Sequence, residues 1–214
     1  MPDESHRPII DAGPGLNFFS INKERLLISV LGKLSAPETV QNEVFRKART
    51  DERFRAAAVV WRKMTPDWIL ILADEPTPQL EAAVRRITHE PMAQRAKHAQ
   101  DLGEIMVIAH AVVAAESGQA VTILMDDRLG SRIAIAEINR LERERRHRST
   151  TGSIRLVNTL TVPERAAGGQ YVPDKAAMHA TYARLRCLDD GLPPIGKTNL
   201  LTSDRWRCAK ATDG

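Results

Sequence analysis

The chain has 214 residues, 43% of them hydrophobic and 27% charged, which excludes a sequence too polar to bury a core. Lysine plus arginine number 31 and aspartate plus glutamate 27, a net charge of +4 that suits an anionic partner such as RNA. Aromatics, at 4%, are too few for a platform that stacks single-stranded bases.

No apolar run approaches the roughly 20 residues of a spanning helix, so no membrane association is expected. The opening MPDESHRPIID lacks the apolar stretch of a signal peptide. Cys187 and Cys208 are too few for a disulfide framework, and a reducing, cytoplasmic location is expected.

In chain order, Pro8-Ile9-Ile10-Asp11 reads as a short buried strand ending in an acid, and Ala12-Gly13-Pro14-Gly15 as a turn. Asn22 to Leu31 has helical spacing at Leu26, Leu27, Val30 and Leu31. Gly32 to Ala36 is a second strand, and Pro37 opens a helix that carries Glu43. The charged segment Lys47 to Lys63 reads as a flap or an inserted helix. Trp68 to Leu72 is a strand, Thr77-Pro78 starts a helix, and Gly103 to Ala115 is a buried helix. Val121 to Met125 is the clearest strand, closed by Asp126-Asp127. A basic helix runs from Leu129 to His147, Ile154 to Val157 is a last strand, and Ala176 to Leu188 is a terminal helix before a Pro/Gly-rich tail.

Strands alternate with helices throughout, which predicts an α/β fold with a parallel sheet covered by helices. Ligands bind beyond the carboxyl ends of such strands. Asp11 and Asp126-Asp127 follow strands, Glu104 opens the buried helix, and Glu43 lies one turn into another. A right-handed winding can bring them to one edge. Clustered carboxylates repel unless a cation neutralises them, and an all-oxygen set suits Mg²⁺ or Mn²⁺.

The stretches Ile9–Phe19, Glu24–Val44, Asp101–Ala111 and Val121–Ala134 together resemble the PIN-domain nucleases, near the VapC-type toxin ribonucleases. The resemblance spans residues 8–195. It implies a three-layer PIN-like fold, a central parallel sheet with helices on both faces, and a metal-dependent endoribonuclease, possible toxin of a toxin–antitoxin pair. Carried over by position, the catalytic and metal-binding acids are Asp11, Glu43, Glu104 and either Asp126 or Asp127, between which spacing does not choose. Asp101 competes with Glu104. Family members often carry a small hydroxyl residue near the first acid; this loop has Ala-Gly-Pro-Gly, with Asn17 further on. The related toxins pair into homodimers, and Leu26, Leu27, Val30 and Leu31 are the apolar face expected to serve here.

Residues 1–165 are expected to form the nuclease core, with 166–214 a helix and tail packed on the same domain. Arg128, Arg132, Arg140, Arg143, Arg145, Arg146 and Arg148 form a basic stripe diluted by Glu137, Glu142 and Glu144. It reads equally as a solvated, internally paired helix and as a phosphate-contacting face, with Arg128 and Arg132 nearest the acids and so the expected RNA contacts. His110 reads as a core histidine and the tryptophans as packing residues. Gly191 to Thr198 matches the letters of a P-loop, but a P-loop needs a strand before it and a helix after it. A non-catalytic RNA- or protein-binding module of the same fold is the alternative function, with a P-loop nucleotide binder third.

Overall fold

A computed structural model describes residues 7–147 and 150–208. The sheet has five parallel strands in the order β3-β2-β1-β4-β5: β1 is Ile9–Ile10, β2 Leu34–Pro37, β3 Ile69–Leu72, β4 Ala120–Leu124 and β5 Ser153–Val157. The chain lays down β1, β2 and β3 in one direction. It then crosses back to place β4 on the other side of β1. Right-handed crossovers therefore put the early helices on one face and the later ones on the other. The result is the expected three-layer α/β arrangement, with a crevice where the direction reverses, between β1 and β4.

Between β1 and β2 lie α1 (Ala12–Ser20) and α2 (Glu24–Leu31). Then α3 (Glu38–Thr50), a 3₁₀ turn at Glu52–Phe54 and α4 (Arg55–Met64) lead into β3. Between β3 and β4 come α5 (Pro78–Thr88), α6 (Met92–Arg95) and α7 (Leu102–Glu116). Beyond β4, α8 (Arg128–His147) precedes β5, followed by α9 (Thr161–Ala166), α10 (Lys175–Leu188) and α11 (Arg205–Cys208).

Helix α7 is apolar nearly all round, as a central helix must be. It packs against β1, β2, β4 and β5, and against α3, α5 and α8. Helix α5 starts where Thr77 accepts a hydrogen bond from the Leu80 amide at 3.2 Å, with Pro78 in its first turn. No helix among the described residues is long and apolar enough to cross a membrane.

Four expectations need correction. Ala12–Gly15 is the first turn of α1 rather than a turn between elements. Pro14 is tolerated there because amides in a first helical turn have no intrahelical partner. Gly15 serves packing: a Cβ on it would lie 3.0 Å from the Trp61 ring. Of the two readings of Lys47 to Lys63, the inserted helix holds and the flap does not. Helix α4 packs on α1, and Trp61, fully buried, meets Phe19 edge-to-face at 5.7 Å between centroids.

The dimer face proposed on α2 is not spare: Leu26 and Leu27 are fully buried in the chain's own core, and α2 packs on α9. Trp61 is a packing residue, but Trp68 is 43% exposed, with the Lys33 ammonium 5.5 Å from its ring centroid. The Gly191–Thr198 segment follows α10, not a strand, and holds only a 3₁₀ turn at Ile195–Lys197, so it lacks the setting of a P-loop. Tyr182 donates a hydrogen bond to the Pro193 carbonyl at 2.7 Å, tying this segment to α10.

Candidate functional site

Strand β1 is only two residues long, so Asp11 stands at its carboxyl end in the middle of the sheet. The Asp11 amide continues the ladder, donating to the Leu124 carbonyl at 3.0 Å. That bond sets Asp11 beside the residues that leave β4, which are Met125, Asp126 and Asp127. A cleft of about 240 Å³ opens there, at the switch point of the sheet. Asp11, Glu43, Glu104, Asp126 and Asp127 all line it. Asp101, the competitor of Glu104, does not.

Asp11 is the innermost acid, 5% exposed. It occupies the N-cap position of α1, yet its side chain makes no capping bond. Its Oδ1 is buried without any hydrogen-bond partner. Burial pushes its carboxyl well above the usual aspartate range, and the charges of Glu104, Glu43 and Asp126 push it further. Glu104 is raised by burial first, then by Glu43, Asp127 and Asp101.

The two candidates after β4 play different parts. Asp126 accepts bonds from the Thr159 amide at 2.8 Å and its hydroxyl at 2.5 Å, which fix it to the loop after β5. Burial raises its carboxyl despite these bonds, and the Asp189 charge adds to the rise. Asp127 accepts from the Gly130 amide at 2.6 Å and so caps the start of α8. Both line the cleft, which leaves the choice between them open.

Two glycines permit the crowding. A Cβ on Gly103 would lie 3.0 Å from Glu43 Oε2 and 3.8 Å from Asp11 Oδ1. One on Gly130 would lie 2.6 Å from the Met125 sulfur and 3.2 Å from the Glu104 Cβ. Helices α7 and α8 thus come together at the acids because no side chain separates them.

An ion would find only oxygen donors here, a hard set suited to Mg²⁺ or Mn²⁺, with the unpartnered Asp11 Oδ1 at its centre. As they stand, no three Asp, Glu, His or Cys side chains among the described residues are arranged to hold an ion. The acids share one cleft without converging on one point, the arrangement that mutual repulsion favours.

Reading the sequence assigned no role to three residues of this cleft. Lys47, one turn beyond Glu43 on α3, is its cation. Asn17, on α1, and Asp189, beyond α10, close it from the side. Period and strand-end position are silent about a residue that enters from a distant terminal helix.

Arg128 lines an adjoining cleft of about 440 Å³ that shares Asp126, Asp127 and Asp189 with the first. Arg132 is exposed one turn further along α8. Arg140 lies in a different setting: it bonds Glu137 and Glu144 on its own helix at 2.8 and 2.7 Å, and Glu116 on α7 at 2.8 Å. It therefore belongs to an internally paired scaffold, while Arg148 lies outside the described residues. His110 is half-buried, its Nε2 2.9 Å from Asp74 Oδ1. Cys187 is exposed and free; the side chain of Cys208 lies outside the described residues.

No family model, curated protein or solved structure matches the chain.

Proposed function

We propose that this chain is a divalent-metal-dependent endoribonuclease of the PIN class. The observation that carries the reading is the meeting of Asp11, Glu43, Glu104, Asp126 and Asp127 in one cleft at the switch point, around a buried Asp11 oxygen with no partner. These acids come from four separate parts of the sequence. Asp11 is buried, Glu43, Glu104 and Asp126 are half-buried and Asp127 is exposed, and like charges gathered this closely repel unless a cation joins them.

Asp11, Glu104 and the Asp126–Asp127 pair would hold Mg²⁺ or Mn²⁺, with Glu43 beside them. A bound ion would supply an activated water and neutralise charge on the phosphodiester. The chain's own groups do the rest. Glu43 or Glu104 would accept the proton of the attacking water as its oxygen bonds to phosphorus, the phosphorus–oxygen bond to the leaving ribose breaks and that oxygen takes a proton from solvent, and Lys47, which lines the cleft, would attract the phosphate. Arg128 and Arg132 position the RNA backbone and carry no part of the bond breaking. An antitoxin partner and a homodimer belong to the same proposal, with a dimer face other than the buried Leu26 and Leu27.

The test is cleavage of RNA in Mg²⁺ or Mn²⁺ buffer by the parent and by Asp11→Asn. Cleavage by the parent alone supports the proposal; equal cleavage by both refutes it.

A second reading is a non-catalytic RNA- or protein-binding module. It is favoured by the absence, among the described residues, of three side chains already arranged to hold an ion. Binding of RNA without cleavage in any divalent metal would place it first.

A further inference from the structure

The cleft has a wall that the resemblance to nucleases does not assign. Helix α10 ends at Leu188, and Leu188 and Asp189 both line the cleft. The Asp189 amide still donates to the Leu185 carbonyl at 3.1 Å, so its backbone is anchored to the helix. Its carboxylate is held at both oxygens: Oδ2 accepts from the Asn17 amide nitrogen at 3.1 Å, and Oδ1 from the Gly191 amide at 2.9 Å. Asn17 is itself 3% exposed and sits on the helix that Asp11 begins.

The Gly191 bond alone would close the turn that follows the helix. A buried amide spent on holding a distant carboxylate, 172 residues away in sequence, fixes that carboxylate in one place. That carboxylate lines the same cleft as Asp11, whose Oδ1 is buried and unpartnered. A carboxylate offers about four acceptor sites, so two protein donors leave Asp189 free to face an ion or its water. From this the geometry points to Asp189 as a further carboxylate of the ion-binding cleft, supplied by the C-terminal segment and oriented by Asn17. Asp189 is thus a ligand of the ion or of its bound water, and Asn17 is a positioning residue. This inference rests on the metal reading proposed above.

Mn²⁺ alone is a sufficient probe. Its binding to the full chain is measured by paramagnetic resonance of the free ion, beside ion-free thermal melting. The parent binds Mn²⁺ and Asp11→Asn does not. Asp189→Asn, which keeps one acceptor oxygen for its two donors, weakens binding roughly tenfold, the scale of an outer partner of a metal site. Its ion-free melting temperature shifts little, because the charge removed from a crowded acidic cleft offsets the hydrogen bond lost. Asn17→Ala weakens binding less, and adding it to Asp189→Asn brings no further loss, since Asn17 acts through Asp189.

If Asp189→Asn binds as tightly as the parent while Asp11→Asn fails, Asp189 only shapes the turn after α10, and the metal reading stands without it. If its affinity and ion-free melting temperature fall together, Asp189 is a structural brace and the inference is overturned. If the parent itself binds no Mn²⁺, the metal reading is overturned and this inference with it.

Discussion

Asp11 and Asp74 are the same residue type at the same edge of one sheet, and they have opposite surroundings. Asp74 lies two residues beyond β3, at the sheet's rim. It accepts bonds from the Thr39 amide at 2.7 Å and hydroxyl at 2.5 Å, and its other oxygen meets His110 at 2.9 Å. Burial pushes its carboxyl up, but the bonds from His110 and Thr39 together outweigh that and hold it below the usual range. Asp11, at the sheet's centre, has like charges for neighbours, an orphaned oxygen and a raised carboxyl. The acid at the rim is consumed by the fold, whereas the one at the centre keeps a buried oxygen with no partner.

The sharpest way to break this contrast is to neutralise each acid. Asp11→Asn should lower RNA cleavage by roughly a thousandfold or more, the scale of losing an electrostatic group in the transition state. It should also raise the ion-free melting temperature, because it removes a buried unpaired charge. Retained cleavage in a gel assay would erase the distinction. Asp74→Ala should instead destabilise the chain by about 2 kcal/mol, since the donors of Thr39 lose a charged acceptor. Urea unfolding reads that loss, and Mn²⁺ binding should survive it.

Acidity sharpens the comparison further. The folded-state pKa of Asp11 is raised, so the folded chain holds a proton that the unfolded chain releases. Its stability contribution is present at low pH and is lost as pH rises from the ordinary aspartate value, about 3.9, through the raised folded one. Asp74 has the reverse sign: its contribution is present above the ordinary value and lost as pH falls through its lowered folded pKa. Ion-free melting across mildly acidic pH should therefore fall with rising pH in the parent and fall less steeply in Asp11→Asn, where Glu104 and Asp126 keep their raised carboxyls. Asp74→Ala should keep the parent's fall.

The smallest effect concerns the arginines. Replacing Arg128 and Arg132 with alanine should leave stability within about 0.5 kcal/mol, since both are exposed. It should flatten the salt dependence of RNA binding by about 0.7 of a slope unit per lost contact. Filter binding at several salt concentrations measures it.

The centre of this molecule was legible in the sequence because it depends on local signals. Asp11 and Asp126-Asp127 end apolar runs, and alternating elements place such ends at one edge. Glu104 was legible because it opens a helix that is apolar all round. Other features depend on distant contacts. Ala12–Gly15 reads as a turn until Trp61, arriving from α4, explains Gly15. The segment from Lys47 to Lys63 leaves a flap and an inserted helix both open because charges crowd it and three of its five buried residues, Ala48, Ala57 and Ala58, are small beside Phe54 and Trp61. Leu26 and Leu27 have helical spacing, but periodicity cannot tell whether their partner is α9 of the same chain or a second copy. Asp189 and Asn17 have no local signature at all, because only the third dimension brings them together.

Gly103 and Gly130 make the width of the acidic cleft depend on groups without charge. A methyl group at position 130 would meet the buried Met125 sulfur and the stem of Glu104, and α8 would have to draw away from α7. The oxygens would then stand further apart with every acid still in place. Mg²⁺ demands short, near-octahedral contacts of about 2.0–2.1 Å, while Ca²⁺ accepts looser cages at about 2.3–2.6 Å. Discrimination by ionic radius in such a cleft would therefore be inherited through two hydrogen atoms as much as through the carboxylates, and a single alanine could shift the preferred ion from small to large.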